Sequence, residues 1–214
     1  MILVPVKNLS QAKQRLASAL DQHDRTELAQ AMLFDVLSTL SVWREHPQVS
    51  LVTNDPFALQ LARHFSFSVI LDIANHGETD AIEMATRFCE SRGVETTLVI
   101  PGDVPLIQVW ELERIFEDAP VEGSVLAPSF DGRGTNAVLR RPAALFPLRF
   151  GNDSFEPHLA AARATQKPCV VLNLPGIALD VDQPQDLLEL MSAPGETRSQ
   201  RLLRHWNMPQ AANE

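Results

Sequence analysis

The chain lacks the residues and runs on which several large function classes depend. Its two cysteines, Cys89 and Cys169, match no metal or redox spacing, so a reduced, cytoplasmic setting is the expectation. No apolar run approaches the length needed to span a bilayer. The opening Met1-Ile2-Leu3-Val4-Pro5-Val6 is apolar but too short for a signal peptide, and no basic region precedes it. It reads as a first buried strand. Positive charge is scarce: 18 Lys and Arg stand against 27 Asp and Glu, a net charge of -9. That balance argues against general nucleic-acid or membrane binding. An anionic substrate would need local basic groups to overcome the background field. The six histidines are scattered without ligand spacing, and no Ser/His/Asp or Cys/His arrangement stands out. There is no internal repeat, no low-complexity segment and no composition break marking a second domain.

What is present suits one α/β domain. The 214 residues are 45% hydrophobic and 21% charged, enough for a large core. Strand and helix signals alternate. Strands are expected at 48–53, 68–71, 97–100, 124–127, 135–139 and 169–172. Helices are expected at 24–42, 79–91, 108–117, 154–165 and 184–191, with another opening at Asp55-Pro56. In the first helix, Asp24 and Glu27 have capping-box-like spacing, and Leu28, Ala31, Met32, Val36 and Leu40 share one face. Such alternation implies a mostly parallel sheet covered on both faces, formed by residues 1–191. Residues 192–214 have weak periodicity and read as a loosely docked tail. The helix face of Leu33, Leu37 and Leu40 is a candidate surface for pairing with a second copy.

Two acidic loops carry the strongest chemical signal. Pro101-Gly102-Asp103-Val104-Pro105 follows the apolar run ending at Ile100, and Leu179-Asp180-Val181-Asp182 precedes an amphipathic stretch. A carboxylate at the C-terminal end of a buried parallel strand sits where open α/β sheets bind ligands. Asp180 and Asp182 alternate along an extended segment, so both point to one side. Close carboxylates repel unless a cation joins them. Asp103, Asp180 and Asp182 therefore make a candidate site for a hard divalent cation such as Mg²⁺, whose usual business is phosphate chemistry. Capping is the alternative role for Asp182, and turn stabilisation for Asp103. Asp186 reads as a first-turn residue favouring the helix dipole.

The loop of residues 7–16 puts Lys7, Lys13 and Arg15 close after a strand end. It contains no glycine, so it is neither a Walker loop nor a dinucleotide fingerprint. It serves either as a phosphate cradle or as a solvated connection. Thr135 follows Gly132 and Gly134, which permit close approach or positive φ. Phe150-Gly151-Asn152-Asp153-Ser154 leads into a helix that Ser154 is placed to cap, with His158 one turn further on.

Taken in order, the segments VPVKNLSQAKQRL, ELAQAMLFDVL, PGDVPL, DGRGTNAVL, FGNDSFEPHLAAA and PGIALDVDQPQDL resemble the guanylyltransferases of coenzyme F420 biosynthesis. Those enzymes act on 2-phospho-L-lactate, phosphoenolpyruvate or 3-phospho-D-glycerate. The resemblance covers nearly the whole chain up to the tail. It implies a three-layer α/β/α nucleotidyltransferase fold, of the kind shared with the molybdenum-cofactor guanylyltransferases. It implies Mg²⁺ on Asp103, Asp180 and Asp182, the phosphorylated acid at Thr135, Gly151 and Ser154, and the GTP phosphates at Lys7, Lys13 and Arg15. Asp103 and Lys13 would be the catalytic pair. One departure stands out: the family commonly has a glycine-rich turn and Leu-Asn near the nucleoside, where this chain reads His76-Gly77-Glu78-Thr79-Asp80-Ala81. Asp80 is the candidate acceptor for a sugar or base donor there.

The reaction so implied needs no general base, because the attacking phosphate oxygen is already anionic. The product would be a phosphoanhydride, suited to hand its acid to a deazaflavin through a downstream transferase. The readings set against it are a molybdopterin or sugar-phosphate nucleotidyltransferase, a sugar-nucleotide glycosyltransferase, and a non-catalytic nucleotide-binding regulator. The first usually opens on a glycine-rich, Arg-containing loop, which this chain does not have.

Overall fold

The computed structural model describes residues 1–74, 76–151 and 153–206. In chain order its elements are β1 (Ile2–Pro5), 3₁₀ turns at Leu9–Gln11 and Gln14–Leu16, α1 (Gln22–Val42), β2 (Val49–Thr53), α2 (Pro56–His64), β3 (Ser68–Leu71), α3 (Glu78–Ser91) and β4 (Thr97–Val99). There follow α4 (Val109–Glu117), β5 (Gly123–Pro128), β6 (Thr135–Arg141), α5 (Phe155–Ala164), β7 (Cys169–Val171), α6 (Pro175–Ala178), α7 (Pro184–Ser192) and α8 (Arg198–His205). The strands form one seven-stranded sheet in the order β3-β2-β1-β4-β6-β5-β7. Every pairing is parallel except those of β6, which runs antiparallel to both β4 and β5. The reversal has a local cause. The turn containing Asp131-Gly132-Arg133-Gly134 joins β5 to β6 and is too short for a crossover, so the two strands must form a hairpin.

Period-two alternation sorts the strand residues between two cores. Ile2, Val4, Leu98, Ile100, Val125, Ala127, Ala137 and Leu139 face α1, α2 and α4. Leu3, Val99, Leu126 and Val138, the residues between them, face α3 and α5. The sheet is therefore a middle layer with helices on both sides. From β1 the chain winds outward to β2 and β3, then returns to lay β4 on the other side of β1. That reversal is the topological switch point, where a crevice opens beyond the carboxyl ends of β1 and β4. The loop of Lys7 and Lys13 leaves one of those ends, and Asp103 leaves the other.

A third cluster matters for the crevice. Leu16 from the basic loop, Val181 from the acidic loop, Leu28 and Met32 of α1, Leu187 and Leu190 of α7 and Leu203 of α8 pack together. The long helix α1 thus buries two faces, one on the sheet and one under the basic and acidic loops. Leu33, Leu37 and Leu40 lie in the first core and are essentially inaccessible, so the pairing surface expected of them is occupied by this chain itself.

Helix termini follow the expected chemistry with adjustments. Asp55 accepts from the amides of Phe57 at 2.9 Å and Ala58 at 3.0 Å, as its place before Pro56 implies. Its second oxygen takes the Leu9 amide at 3.0 Å and so pins the basic loop to α2. The cap of α1 is Asp21 rather than Asp24: its carboxylate accepts from the Asp24 amide at 2.9 Å, and α1 starts at Gln22. The stretch after Ser192 is more ordered than its weak periodicity suggests. Thr197 and Gln200 close a capping box on α8. Asp35 of α1 accepts from the Arg198 amide at 2.7 Å, the Ser199 amide at 2.8 Å and the Ser199 hydroxyl at 2.7 Å. Residues 207–214 of the expected tail lie outside the described residues.

Leu203 is fully buried where α8 meets α1 and α7. Leu203→Ala is expected to cost roughly 2–4 kcal/mol of stability, read as a lower urea midpoint. A change within about 0.5 kcal/mol, the range of ordinary surface substitutions, would mean that α8 contributes no packing.

Candidate functional site

The two acidic loops meet through the backbone first. The Val181 amide donates to the Asp103 carbonyl at 3.2 Å, while the Val181 side chain is fully buried. This leaves Asp180 and Asp182 on either side of the anchor, both near Asp103. Lys13 then enters from the basic loop. Its ammonium donates to the Asp103 carboxylate and, at 2.7 Å, to Asp182 Oδ1. Arg15 lies 3.6 Å from Asp182 Oδ2. Lys13 adopts a left-handed backbone, φ +56°, between the two 3₁₀ turns, a conformation uncommon outside glycine. Only 7% of its side chain is exposed.

Burial alone would lower the Lys13 pKa, but the charges and hydrogen bonds of Asp103 and Asp182 outweigh it and hold the ammonium above its ordinary value. Burial opposes ionisation of Asp182 too, and Lys13 with Arg15 overcomes it, keeping that carboxyl below the usual range. Asp180 makes no ion pair among the described residues, and Lys13 acts on it only weakly. Burial and then the charge of Asp103 push it up to about 6, although Asn136 donates to Asp180 Oδ1 at 2.9 Å. Neither Asp103 nor Asp182 caps a helix. Gln183 is the N-cap of α7, in a capping box with Asp186, whose carboxylate takes the amides of Asp182 and Gln183. Among the described residues, no three His, Cys, Asp or Glu side chains are arranged to hold a metal as they stand. The position between Asp103 and Asp182 is filled by Lys13.

The acidic loop is held from below by a helix that the sequence reading missed. The four-residue α6 receives Glu111 of α4, which is fully buried. One Glu111 oxygen accepts from the Gly176 amide at 2.7 Å, and the other closes a capping box on α4 through the Gln108 amide at 2.9 Å. A side chain at position 176 would collide with the Leu106 carbonyl and with this carboxylate, so only glycine fits. At the other end of α6, the Asn136 amide group donates to the carbonyls of Ile177 at 2.9 Å and Ala178 at 3.1 Å as well as to Asp180. The α4 carboxylate, α6, Asn136 and Asp180 thus form one continuous hydrogen-bonded chain.

A cavity of about 520 Å³ adjoins these groups at the switch point. Lys7, Lys13, Asp103 and Asp182 line its polar side, with Met32 and Leu33 on its apolar side. Lys7 also pairs with the buried Asp72 at 3.0 Å. The acid from α3 that reaches the cavity is Glu78, which the sequence reading passed over. Asp80, proposed there as a nucleoside acceptor, is exposed and does not line the cavity. Helical spacing separates them, since two residues along a helix turn a side chain to the other side. Among the described residues Glu78 has no hydrogen-bond or ion-pair partner; burial and then the charge of Asp103 push its carboxyl up to about 7.

Thr135 and Ser154 meet at a second point along the sheet edge. Thr135 and Asn136 open β6 and, being adjacent, point to opposite faces. Asn136 turns to Asp180, whereas Thr135 turns to α5. The Thr135 amide donates to Ser154 Oγ at 3.1 Å, and the two hydroxyls stand 3.4 Å apart. Ser154 occupies the N-cap position of α5 without capping it, because its oxygen is engaged by Thr135 instead. Gly151 is exposed at φ +130°, with open space where a Cβ would project. Asn152 lies outside the described residues. Thr135 and Ser154 are both buried, and neither lines the cavity holding Lys13.

The Glu78 carboxyl gives this geometry a pH signature. In the folded chain it takes up its proton near pH 7, and in the unfolded chain near pH 4.5. The native state therefore holds more protons across that window, and stability attributable to Glu78 declines as pH rises from 4.5 to 7. Glu78→Gln is expected to match the native protein below pH 4.5 and to exceed it by on the order of 1–2 kcal/mol at pH 8. Equal melting temperatures of the two proteins at pH 8 would show that Glu78 carries no burial cost.

The family pattern described as "Guanylyl transferase CofC like" matches residues 1–212. A phosphoenolpyruvate guanylyltransferase of Roseiflexus castenholzii is 35% identical over 98% of this chain and 96% of its own length. A 3-phospho-D-glycerate guanylyltransferase of Colwellia psychrerythraea is 33% identical over 90% and 92% respectively. A 2-phospho-L-lactate guanylyltransferase of Methanothermobacter thermautotrophicus is 30% identical over 94% and 88%. Among solved structures, a Desulfovibrio desulfuricans protein provisionally described as a nucleotide-diphospho-sugar transferase superposes with a TM-score of 0.77 at 18% identity, covering 96% of this chain and 94% of that one. A nucleotidyl transferase from Methanothermobacter thermautotrophicus gives 0.59 at 16% identity, covering 95% and 97%. The fold is that of the nucleotide-diphospho-sugar transferases, and the chain is a nucleotidyltransferase that belongs to the CofC-like guanylyl transferase family.

Proposed function

We propose that this protein transfers a guanylyl group from GTP to the phosphate of a phosphorylated three-carbon acid, releasing pyrophosphate, as a step in coenzyme F420 biosynthesis. The observation that carries the reading is the buried Lys13 ammonium joining Asp103 and Asp182 beside a cavity at the switch point of the sheet. Relatives along nearly the full chain are named for three different acids: phosphoenolpyruvate, 3-phospho-D-glycerate and 2-phospho-L-lactate. They support the class of acid and leave the choice to experiment.

In this reading the bond between the α- and β-phosphorus groups of GTP breaks, and one forms between the α-phosphorus and an oxygen of the acid's phosphate. That oxygen is already anionic, so no side chain need remove a proton. The task of the protein is to bring two polyanions together and hold them in line. Lys13, with Lys7 at the cavity wall, places positive charge against the triphosphate, and Arg15 extends that charge toward solvent. Thr135, Gly151 and Ser154 hold the acid. Lys13, with only 7% of its side chain exposed, acts in a medium where its charge counts for more than in water.

Asp103, Asp180 and Asp182 would hold Mg²⁺. The donors fit a hard cation: they are oxygen only, come from two loops joined by a backbone hydrogen bond, and include a carboxyl whose ionisation burial and Asp103 oppose. Bound there, Mg²⁺ would offset charge on the α-phosphate and the departing pyrophosphate. Lys13 would then give up part of its contact with the carboxylates and turn to phosphate. Among the described residues, no helix is long and apolar enough to cross a membrane.

The test is pyrophosphate release with GTP, Mg²⁺ and each acid in turn, with ATP and CTP as controls. Release with GTP and one acid is expected. GTP binding without release for any acid would favour a non-catalytic regulator. Asp103→Asn should lose most turnover, and full activity in that variant would remove Asp103 from the metal site. A second expectation needs no turnover. Lys13→Ala leaves Asp103 and Asp182 without their shared cation, so added Mg²⁺ should raise its Tm more than that of the native protein. Equal responses would place the metal elsewhere.

A further inference from the structure

His158 is almost wholly inaccessible, and the reaction proposed above gives it no part. Its two ring nitrogens are both engaged. The Arg149 amide donates to Nε2 at 2.8 Å, and Nδ1 lies 2.9 Å from Thr135 Oγ1. A nitrogen that accepts from a backbone amide carries no hydrogen. Burial and then the charge of Arg140 push the imidazole down to about 4, so at neutral pH the ring is uncharged and has a single N–H. The network therefore assigns that hydrogen to Nδ1, which donates to the Thr135 oxygen.

The remaining hydrogens can be counted. Thr135 Oγ1 accepts from His158, and Ser154 Oγ accepts from the Thr135 amide. The two hydroxyls own one hydrogen each. At 3.4 Å apart they share at most one of these between them. At least one hydroxyl hydrogen is thus left over for a further acceptor. With the opposite tautomer, Nδ1 would draw the Thr135 hydrogen to itself and that donor would be lost.

We propose that His158 is a positioning residue that fixes its neighbours Thr135 and Ser154 as hydrogen-bond donors to an anionic group of the phosphorylated acid. This rests on the reading above that the acid binds at Thr135, Gly151 and Ser154. The imidazole neither touches the substrate nor exchanges a proton during the reaction. Its part is to set the direction of hydroxyls that would otherwise rotate, so that a buried pair presents donors to a ligand rich in acceptors. A donor hydrogen bond to a charged group is worth roughly tenfold in affinity, and that is the size of the effect to look for.

The experiment compares His158→Gln, whose amide can accept from Arg149 and donate to Thr135, with His158→Phe, which keeps the ring packed on Phe150 but has neither function. In His158→Phe the KM for the acid should rise roughly tenfold, with the KM for GTP changed by less than about twofold, and His158→Gln should recover most of the loss. In a Thr135→Val background the His158→Phe effect on the acid should disappear. Equal impairment of the Phe and Gln variants, or parallel rises in both KM values, would overturn the positioning role. A readout independent of turnover is the ¹⁵N spectrum of the histidine ring at pH 7, with His158 assigned by its loss in His158→Gln. The Nδ1–H tautomer is expected, and an Nε2–H tautomer overturns the proposal whatever the substrate. If the tautomer is as expected but Thr135→Val leaves the KM for the acid unchanged, the fault lies in the placement of the acid.

Discussion

The buried ammonium of Lys13 is the interaction on which the site depends. A lone buried cation would be costly, and so would two neighbouring carboxylates with nothing between them. Joined, they compensate one another. The backbone hydrogen bond from Val181 to Asp103 brings the acidic loops together regardless of charge, and Lys13 makes their closeness tolerable. In a chain with a net charge of -9, Lys13 is a buried positive charge set among acids. It is placed at the reversal of strand winding between β1 and β4, beyond their carboxyl ends.

The supports for that contact come from all over the chain. Leu16 and Val181, one from each side of the ion pair, pack in the same small cluster under α1, α7 and α8. The tail helix therefore bears on the site without touching it, through the cluster it completes. Glu111 acts from the opposite side. Its two oxygens tie α4 to α6, and Asn136 passes that anchorage on to Asp180. Asp55 fixes the basic loop in the same manner, with one oxygen on its own helix and the other on Leu9. In each case a buried acid spends its acceptors on backbone amides from two elements, so the geometry of the charged groups is set by secondary structure rather than by flexible side chains.

Much of this was legible in the sequence because the governing rules are local. Alternation of apolar strands with amphipathic helices leads to a layered sheet, and an Asp just past a buried strand leads to its ligand-binding edge. The Asp55-Pro56 start of α2 follows from the chemistry of one dipeptide. The misses have non-local causes. Glu78 and Asp80 differ only in which way α3 is rotated, which is set by packing of Ala81, Ile82 and Ala85 against the sheet. That run of apolar positions could have favoured Glu78 had the helix phase been followed back to its first turn. Ser154 fits the pattern of a cap, but Thr135 claims its oxygen across a long sequence separation. The short α6 has no periodicity to detect, and Glu111 reads as an ordinary surface glutamate until its partners at residues 176 and 177 are known. The order of α8 depends on Asp35, an acid on a buried face of α1 whose partners, Arg198 and Ser199, come from the tail.

The excess of acid over base at the crevice has a consequence for how the reactants enter. Lys7, Lys13 and Arg15 stand among Asp72, Asp103, Asp180, Asp182 and Glu78. Two of those acids are pushed upward, Asp180 to about 6 and Glu78 to about 7, first by burial and then by the charge of Asp103, with Lys13 acting in the opposite direction. A bare triphosphate would add to the excess of acid and meet repulsion from the same carboxylates. On the proposed function, the favoured entrant is a nucleotide that brings its own divalent cation, because the pair supplies to the acids what the protein withholds. The acidic cluster then works as a filter. It would admit a phosphate together with its counter-charge, and Lys13, released from part of its contact with the carboxylates, would then turn to that phosphate.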